Sequence, residues 1–515
     1  MAENINKKES FAGHPPGLST LFFTEMWERF SYYGIRPLLV LFMTAALAQG
    51  GFGFERDEAA AIVGIYAASV YLASLPGGWI ADRLLGLQRA ILYGAICIAL
   101  GHISIALTSF LGSKIFFFLG LVLIVLGTGL LKPNISAIVG ELYPEGGARR
   151  DAGFSIFYMG INLGAFLGQL VTGYLGENIG WHWGFGAAGL GMIVGVITFI
   201  IRSPKTLGNI GKDIVKDPDP QKQASKERQT VLLTCLGIAA VALVFILAAL
   251  DVIRINAQVV GGYMTYILIG IAVVYFLYIF LFGGLTRQEA KRVVVIAVLF
   301  LAASVFWAAF EQAPTALNLF ARDFTDRNIG SFLMPATWFQ SVNSLFIIIF
   351  APIFAGMWMR LDKKGINISS PVKFAAGLAF AGLGFFLMLL AANIVVAGGV
   401  GTLVSPWWLV FSYLFQTFGE LLLSPVGLSS MTQLSPKRFV GQMMGVWFLA
   451  TSLGNLIAGL VGGHVDPEKL DQMPKLFSAT TISLFIAAVV LFLLSIPISR
   501  MLREKQDTEP EAETA

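Results

Sequence analysis

The chain has 515 residues, of which 56% are hydrophobic and only 13% charged, against about 25% charged in an ordinary soluble domain. With a mean hydropathy of +0.75, a soluble fold of this size could not bury so much apolar side chain, so the composition points to an integral membrane protein. The net charge of +4 is spread without a basic cluster, which argues against a nucleic-acid partner. Cys97 and Cys235 sit in separate apolar runs, which argues against a disulfide scaffold or a cysteine metal site.

The apolar residues come in long runs, not in alternating segments, so helices are expected and not a barrel. No secretory signal is read in the polar first twenty residues, and the first apolar helix is expected to stay as an anchor. A span needs about 20 mostly apolar residues. Runs near 18–48, 59–82, 88–109, 114–140, 152–176 and 183–201 meet this, followed by a polar stretch, 202–228. Further runs lie near 230–250, 261–284, 293–320, 336–359, 371–396, 405–431, 441–463 and 476–499, giving fourteen in all. The first is interrupted by Glu25, Glu28, Arg29 and Arg36. With the N-terminus inside, 25 of the 35 Lys and Arg fall on the inner side, seven outside and three within spans. That bias places both termini in the cytoplasm.

Residues 127–144 read GTGLLKPNISAIVGELYP, and residues 419–436 read GELLLSPVGLSSMTQLSP. Both fit G-x-x-L-L-x-P, eight residues, then L-x-P. The next helices agree too: LGAFLGQLVTG at 163–173 against LGNLIAGLVGG at 453–463. The offsets of 292 and 290 indicate a duplication of six-helix halves with two helices inserted between them. The expected organisation is a tail 1–16, a six-helix bundle 17–201, a linker 202–229, two inserted helices 230–285, a second bundle 286–500 and a tail 501–515. Two parallel halves of six spans are the architecture of the major facilitator superfamily, whose binding site lies between the halves near the midplane.

An ionisable side chain at the bilayer centre costs about 2.5–3.5 kcal/mol and marks function. Glu25, Glu28 and Arg29 lie at i, i+3 and i+4 and share a helix face, which Arg36 continues two turns on. A snorkelling interfacial cluster is the plainer alternative for Glu25, though it does not suit the deeper Arg36. Burial opposes and a guanidinium favours a charged carboxylate, so such a cluster can take up and release a proton. Lys132 precedes Pro133 in the fourth span, and the repeat aligns it with Ser424, one turn from Glu420. Lys132 and Glu420 are therefore expected to face each other across a cavity. The alternative is that each is satisfied separately by water or helix carbonyls. Glu311 stands in F-W-A-A-F-E-Q-A-P, where Pro314 weakens the backbone ladder. Glu141, Asp251 and Asp323 fall near span ends and read as interfacial. Cations dominate the first half and carboxylates the second, which suits a zwitterionic ligand or closing salt bridges. Tyr32, Tyr33, Tyr71, Trp307 and Trp447 could line pockets, although each such residue alone is more often packing.

At these residues the chain resembles the proton-dependent oligopeptide transporters of the major facilitator superfamily, bacterial type. E-M-W-E-R at 25–29 matches the family's E-x-x-E-R motif. G-G-W-I-A-D-R-L-L-G at 77–86 and F-Y-M-G-I-N-L-G at 157–164 resemble its two signatures, and the likeness covers nearly all of 17–500. The resemblance implies a proton-coupled symporter importing di- and tripeptides by alternating access, without cofactor or metal, expected in the bacterial inner membrane and as a monomer. It implies that Arg36 and Lys132 engage the peptide carboxylate, and that Glu311, Asn162 and Asn343 engage the amino end. Tyr33, Tyr71, Trp307, Ser424 and Trp447 would shape the pockets, and Glu25, Glu28, Arg29 and Glu311 would couple protons. Arg36 with Glu311 resembles an outer gate, and Lys132 with Glu420 an inner one. Animal members carry a functional histidine in helix 2, but Gly64 stands near its place here. His102 is the one intramembrane histidine and reads as structural.

Three other readings compete with this one. A fourteen-span drug/proton antiporter fits the span count but not E-x-x-E-R. A membrane enzyme would need a nucleophile–base pair or a metal cluster, and His14, His102, His182 and His464 are scattered, with no H-E-x-x-H and no phosphate-binding G-x-x-x-x-G-K-[ST]. A channel would need rings of like residues, which the sequence lacks.

Overall fold

The computed structural model describes residues 11, 13–214, 216–366 and 368–503. Among these, fifteen α-helices follow one another: α1 (Pro16–Thr44), α2 (Arg56–Ile80), α3 (Leu87–Leu111), α4 (Lys114–Glu141), α5 (Gly147–Tyr174), α6 (Trp181–Thr206), α7 (Pro220–Ala249), α8 (Ala257–Phe282), α9 (Arg287–Phe310), α10 (Asn318–Phe324), α11 (Trp338–Lys363), α12 (Ser370–Gly398), α13 (Trp407–Leu434), α14 (Val440–Val461) and α15 (Gln472–Arg503). A short hairpin pairs Asn328 with Leu333 and Ile329 with Phe332. Thirteen segments are long and apolar enough to cross a membrane, α9 and α10 together forming one of them, Arg287–Phe324. α1, 29 residues long, completes the set of fourteen but is too charged to meet that composition. It carries the four charges read from its sequence, and all four are buried.

Helix ends follow local chemistry. The polar stretch after α6 is partly helical, because Asp219 accepts hydrogen bonds from the N–H groups of Gln221 and Lys222 and Pro220 opens α7. Upstream, the Lys226 ammonium, 2.6 Å away, and then the Asp219 N–H hold the half-buried Asp217 carboxyl below its usual range. α1 stops four residues short of its apolar run. Residues 45–54 fold back so that Phe54 N–H bonds Met43 O at 2.8 Å and Phe52 packs tilted on Phe42 and edge-on to Phe117.

The chain divides into two compact units. The first comprises Met1–Ala59, Ser69–Val260 and Asn328–Ile348; the second comprises Ala60–Ala68, Gly261–Arg327 and Ile349–Ala515. In the first, α1 packs on α5 and α6, and α3 packs on α4 and α6. In the second, α9 packs on α14 and α15, and α12 packs on α13 and α15. The two patterns coincide when α1, α3, α4, α5 and α6 are matched to α9, α12, α13, α14 and α15. The duplication seen in the sequence is thus a duplication of helix contacts.

Glycines carry those contacts. Without a hydrophobic force between helices in lipid, close approach of backbones supplies the packing energy. A Cβ at Gly127 would stand 2.6 Å from Gly94 O, and one at Gly419 would stand 2.7 Å from Gly377 O. These are the two glycines that the repeat aligns. The second aligned pair behaves likewise: Gly164 seats α5 on α1 at the Met26 carbonyl, and Gly454 seats α14 on α9 at Trp307. By contrast, the window of α7 that would cross the membrane is unburied, and Thr230 is its one buried residue among those described.

Replacing Gly127 by Ala puts a methyl against the α3 backbone, and overpacking of this kind costs about 1–3 kcal/mol. At Gly186 of α6 nothing lies within 4 Å, so Ala there gains helix propensity, about 1 kcal/mol. Thermal unfolding of the detergent-purified protein should show a lowered midpoint for Gly127→Ala and an unchanged or raised one for Gly186→Ala.

Candidate functional site

In the first unit the buried charges begin on α1. Gly160, Gly164 and Gly168 recur every four residues along α5 and face Phe22, Met26 and Phe30. This lets the two backbones nearly touch and brings Arg29 Cβ to 3.1 Å from where a Gly164 methyl would lie. The Arg29 Nε lies 2.7 Å from Glu25 Oε1 and 2.7 Å from Glu28 Oε2. All three side chains are buried, Glu28 completely. The shared face expected from their spacing is therefore an ionic triad. Arg29 Nε donates to Glu25 Oε1, and among the described residues Glu25 Oε2, both Glu28 oxygens and Arg29 Nη2 make no hydrogen bond. Two anions on one cation leave an excess negative charge where solvation is poor. Either a further cation or a bound proton can offset it. α4, which carries Lys132, also touches α1.

Lys132 sits on α4 where Pro133 interrupts the backbone ladder, and Asn134 Nδ2 returns a hydrogen bond to Leu130 O at 2.6 Å. Its ammonium lies 3.8 Å from the ring centroid of Tyr71 on α2. α2 reaches this position because Gly77 packs directly on the Gly129 backbone of α4. Arg36 is buried on α1, Tyr33 stands half-buried with its ring 5.2 Å from that of Tyr32, and Asn162 of α5 is buried and donates to Tyr158 O at 3.0 Å. Asn343 lies half-buried on α11.

In the second unit Glu311 ends α9 and is buried. Trp307, one turn earlier, backs onto Gly454 of α14 and meets Phe306 and Phe310 edge-on. α13 carries Glu420 and Ser424, both half-buried, with Pro425 following. Trp447 of α14 is buried against Gly427 and stands 6.5 Å from the Phe374 ring. The structure thus brings Glu25, Glu28 and Arg29 together directly and joins Lys132 to Tyr71. Trp307, Glu311, Glu420, Ser424 and Trp447 are distributed over α9, α13 and α14.

Gly64 of α2 is closed to side chains. A Cβ at Gly64 would lie 2.7 Å from Gly459 Cα and 2.8 Å from Asn455 O. His102 is fully buried on α3 beside Gly189.

Two features carry too little sequence signal to be found without the fold. Glu177, in a turn after α5, accepts hydrogen bonds from Ala336 N (2.8 Å), Thr337 N (3.0 Å) and Thr337 Oγ1 (2.8 Å). It thereby caps the entry to α11, where Trp338 Nε1 also donates to Leu170 O. An acidic residue at a helix end gives no hint of this. The second feature is the amide of Gln312, whose one sequence cue is its place between Glu311 and a helix-breaking proline.

A model of the POT family matches residues 88–476. The peptide transporter YePEPT of Yersinia enterocolitica is 50% identical over 498 residues, covering 96% of this chain and 97% of its own. A di-/tripeptide transporter of Lactococcus lactis is 37% identical over 511 residues, covering 97% and 99%. The crystal structure of a peptide transporter POT in complex with sulfate has a TM-score of 0.88 at 39% identity, covering 97% of this chain and 99% of that one.

Glu177→Ala removes the acceptor of three donors at the entry to α11. Hydrogen–deuterium exchange should accelerate at residues 336–339 by about tenfold, the size of roughly one lost buried hydrogen bond, while α3 and α4 stay protected.

Proposed function

The chain is a member of the POT family, a family of transporters and not of enzymes, and on that premise we propose that it imports di- and tripeptides in symport with protons. The observation that carries the proton half is the triad of Glu25, Glu28 and Arg29. A site with two carboxylates on one guanidinium, away from water, changes its net charge by gaining or losing a single proton. It can therefore report occupancy of the adjoining cation Lys132 as an electrostatic signal. A peptide carboxylate approaching Lys132 weakens that cation's hold on Glu28 and favours protonation there. Binding of peptide and proton then reinforce each other, which is the requirement for symport.

The relatives' names carry the peptide half. A free di- or tripeptide is a zwitterion, and the candidate residues supply both signs. Arg36 and Lys132 suit its carboxylate, and Glu311, Asn162 and Asn343 suit its ammonium. Tyr33, Tyr71, Trp307, Ser424 and Trp447 give walls that tolerate varied side chains. Tyr71 also acts on a neighbour, since its ring, 3.8 Å from the Lys132 ammonium, restrains that group through cation–π attraction. Glu420, aligned one turn from Lys132 by the repeat, is assigned with Lys132 to an inner gate, and Arg36 with Glu311 to an outer one. Those pairings rest on the repeat, on the segregation of charge along the chain and on the family resemblance. The potential across the membrane supplies about 2.3 kcal/mol per proton per 100 mV, enough to concentrate a peptide. The reading includes an inner-membrane location, cytoplasmic termini, a working monomer, and bundles over 17–201 and 286–500 with 230–285 inserted.

The test uses purified protein in liposomes with an inside-negative potential. Addition of dialanine or trialanine outside should acidify the lumen only when potential and peptide are both present. Glu311→Gln should abolish proton-driven accumulation while leaving peptide counterflow measurable. Full accumulation in that variant would remove Glu311 from proton coupling, and absence of any peptide response in the folded wild type would remove peptides as the cargo.

A further inference from the structure

The apolar run 293–320 does not form one continuous helix. α9 ends at Phe310, Glu311 follows with φ −76° and ψ 4°, and a π-turn over 313–317 leads into α10. The Glu311 N–H keeps its regular bond to Trp307 O at 2.9 Å, but the Gln312 N–H turns to Ala309 O at 3.1 Å. A regular helix would send that N–H to Ala308. The side chain of the same residue takes the place: Gln312 Nε2 donates to Ala308 O at 3.2 Å. The same nitrogen donates to Thr480 Oγ1 of α15 at 3.2 Å, and the Thr480 hydroxyl donates onward to Leu476 O at 2.9 Å. Both amide hydrogens are used, and only a donor can face the Ala308 carbonyl, so the chemistry sets the amide's orientation. Gln312 is buried.

Resting on the reading of Glu311 as a coupling carboxylate, the geometry points to Gln312 as its positioning residue: the bridge from Ala308 through Gln312 to Thr480 fixes the break in α9 and so holds Glu311 in place, without touching peptide or proton. A break made by Pro314 alone leaves the preceding turn free to rewind by one register. Rewinding would return the Gln312 N–H to Ala308 and rotate Glu311 about the helix axis. The amide bridge occupies the Ala308 carbonyl and ties the break to α15, so one register is favoured.

The experiment compares wild type, Gln312→Met, Thr480→Val and Thr480→Ser in proteoliposomes. Each is normalised to folded protein, and both proton-driven dialanine uptake and gradient-free counterflow are measured. Gln312→Met keeps the volume but lacks the donors. It should lower driven uptake about tenfold, in line with roughly one lost buried hydrogen bond, and change counterflow far less. Thr480→Val should do the same to a smaller degree, the double variant should be no worse than Gln312→Met, and Thr480→Ser should behave as wild type. Should Gln312→Met fail to fold, Thr480→Val tests the same bridge with Gln312 in place. Equal loss of both activities, or no change in either, overturns the positioning role. Glu311→Gln run alongside separates the two readings. If it keeps driven accumulation, the coupling role of Glu311 falls. If it loses it while Gln312→Met matches wild type, the positioning role alone falls.

Discussion

A guanidinium held between two carboxylates, all three out of reach of water, is the interaction on which the first helical unit depends. Charges removed from water destabilise a fold unless geometry returns most of the lost solvation. Here both carboxylates lie 2.7 Å from a single nitrogen of Arg29. That arrangement needs α1 to be shielded closely from water. The stripe of Gly160, Gly164 and Gly168 provides the shielding by letting α5 lie against the α1 backbone. The motif and the glycine stripe are thus one structural device, although 131 residues separate Arg29 from Gly160.

The duplication gives both units the same helix contacts but not the same chemistry. Gly164 and Gly454 seat a helix at the same point of the repeat, as do Gly127 and Gly419. Backbone proximity is reproduced because the packing of both units relies on it. The polar side chains are free to diverge, and they do: Lys132 has Ser424 as its counterpart, and the α1 triad has no ionic equivalent on α9. A scaffold fixed by glycines and a site varied on top of it is how one helix arrangement supports asymmetric charge.

Several prolines inside or beside helices directly follow candidate site residues. Pro133 follows Lys132, Pro37 follows Arg36, Pro425 follows Ser424, and a π-turn containing Pro314 follows Glu311. Each break frees backbone groups that a side chain or another helix must satisfy, and π-turns of this kind recur at functional sites. At Gln312 the satisfying group is the residue's own side-chain amide. At Glu177 it is a carboxylate from the π-turn after α5 that receives the N–H groups of the two residues before α11. The break after Glu311 is therefore a bonded, fixed conformation and not a loose segment.

Much of this is legible in the chain alone. Composition requires a membrane, apolar run length sets fourteen crossings, and the i, i+3, i+4 spacing puts Glu25, Glu28 and Arg29 on one face, because these depend only on helix period and bilayer thickness. The repeat is legible because glycines at contact points tolerate no larger side chain and so stay in register. What local pattern leaves open is decided by packing. That Arg29 uses one nitrogen for both carboxylates, that the Lys132 ammonium lies over Tyr71, that Gly64 has no room for a side chain, that Gln312 reaches Thr480 and that Glu177 caps α11 all pair residues on different helices or fix side-chain rotamers. Sequence period determines which face a residue occupies. Which distant residue meets that face is set by helices approaching to backbone contact, and only the tertiary structure contains that distance.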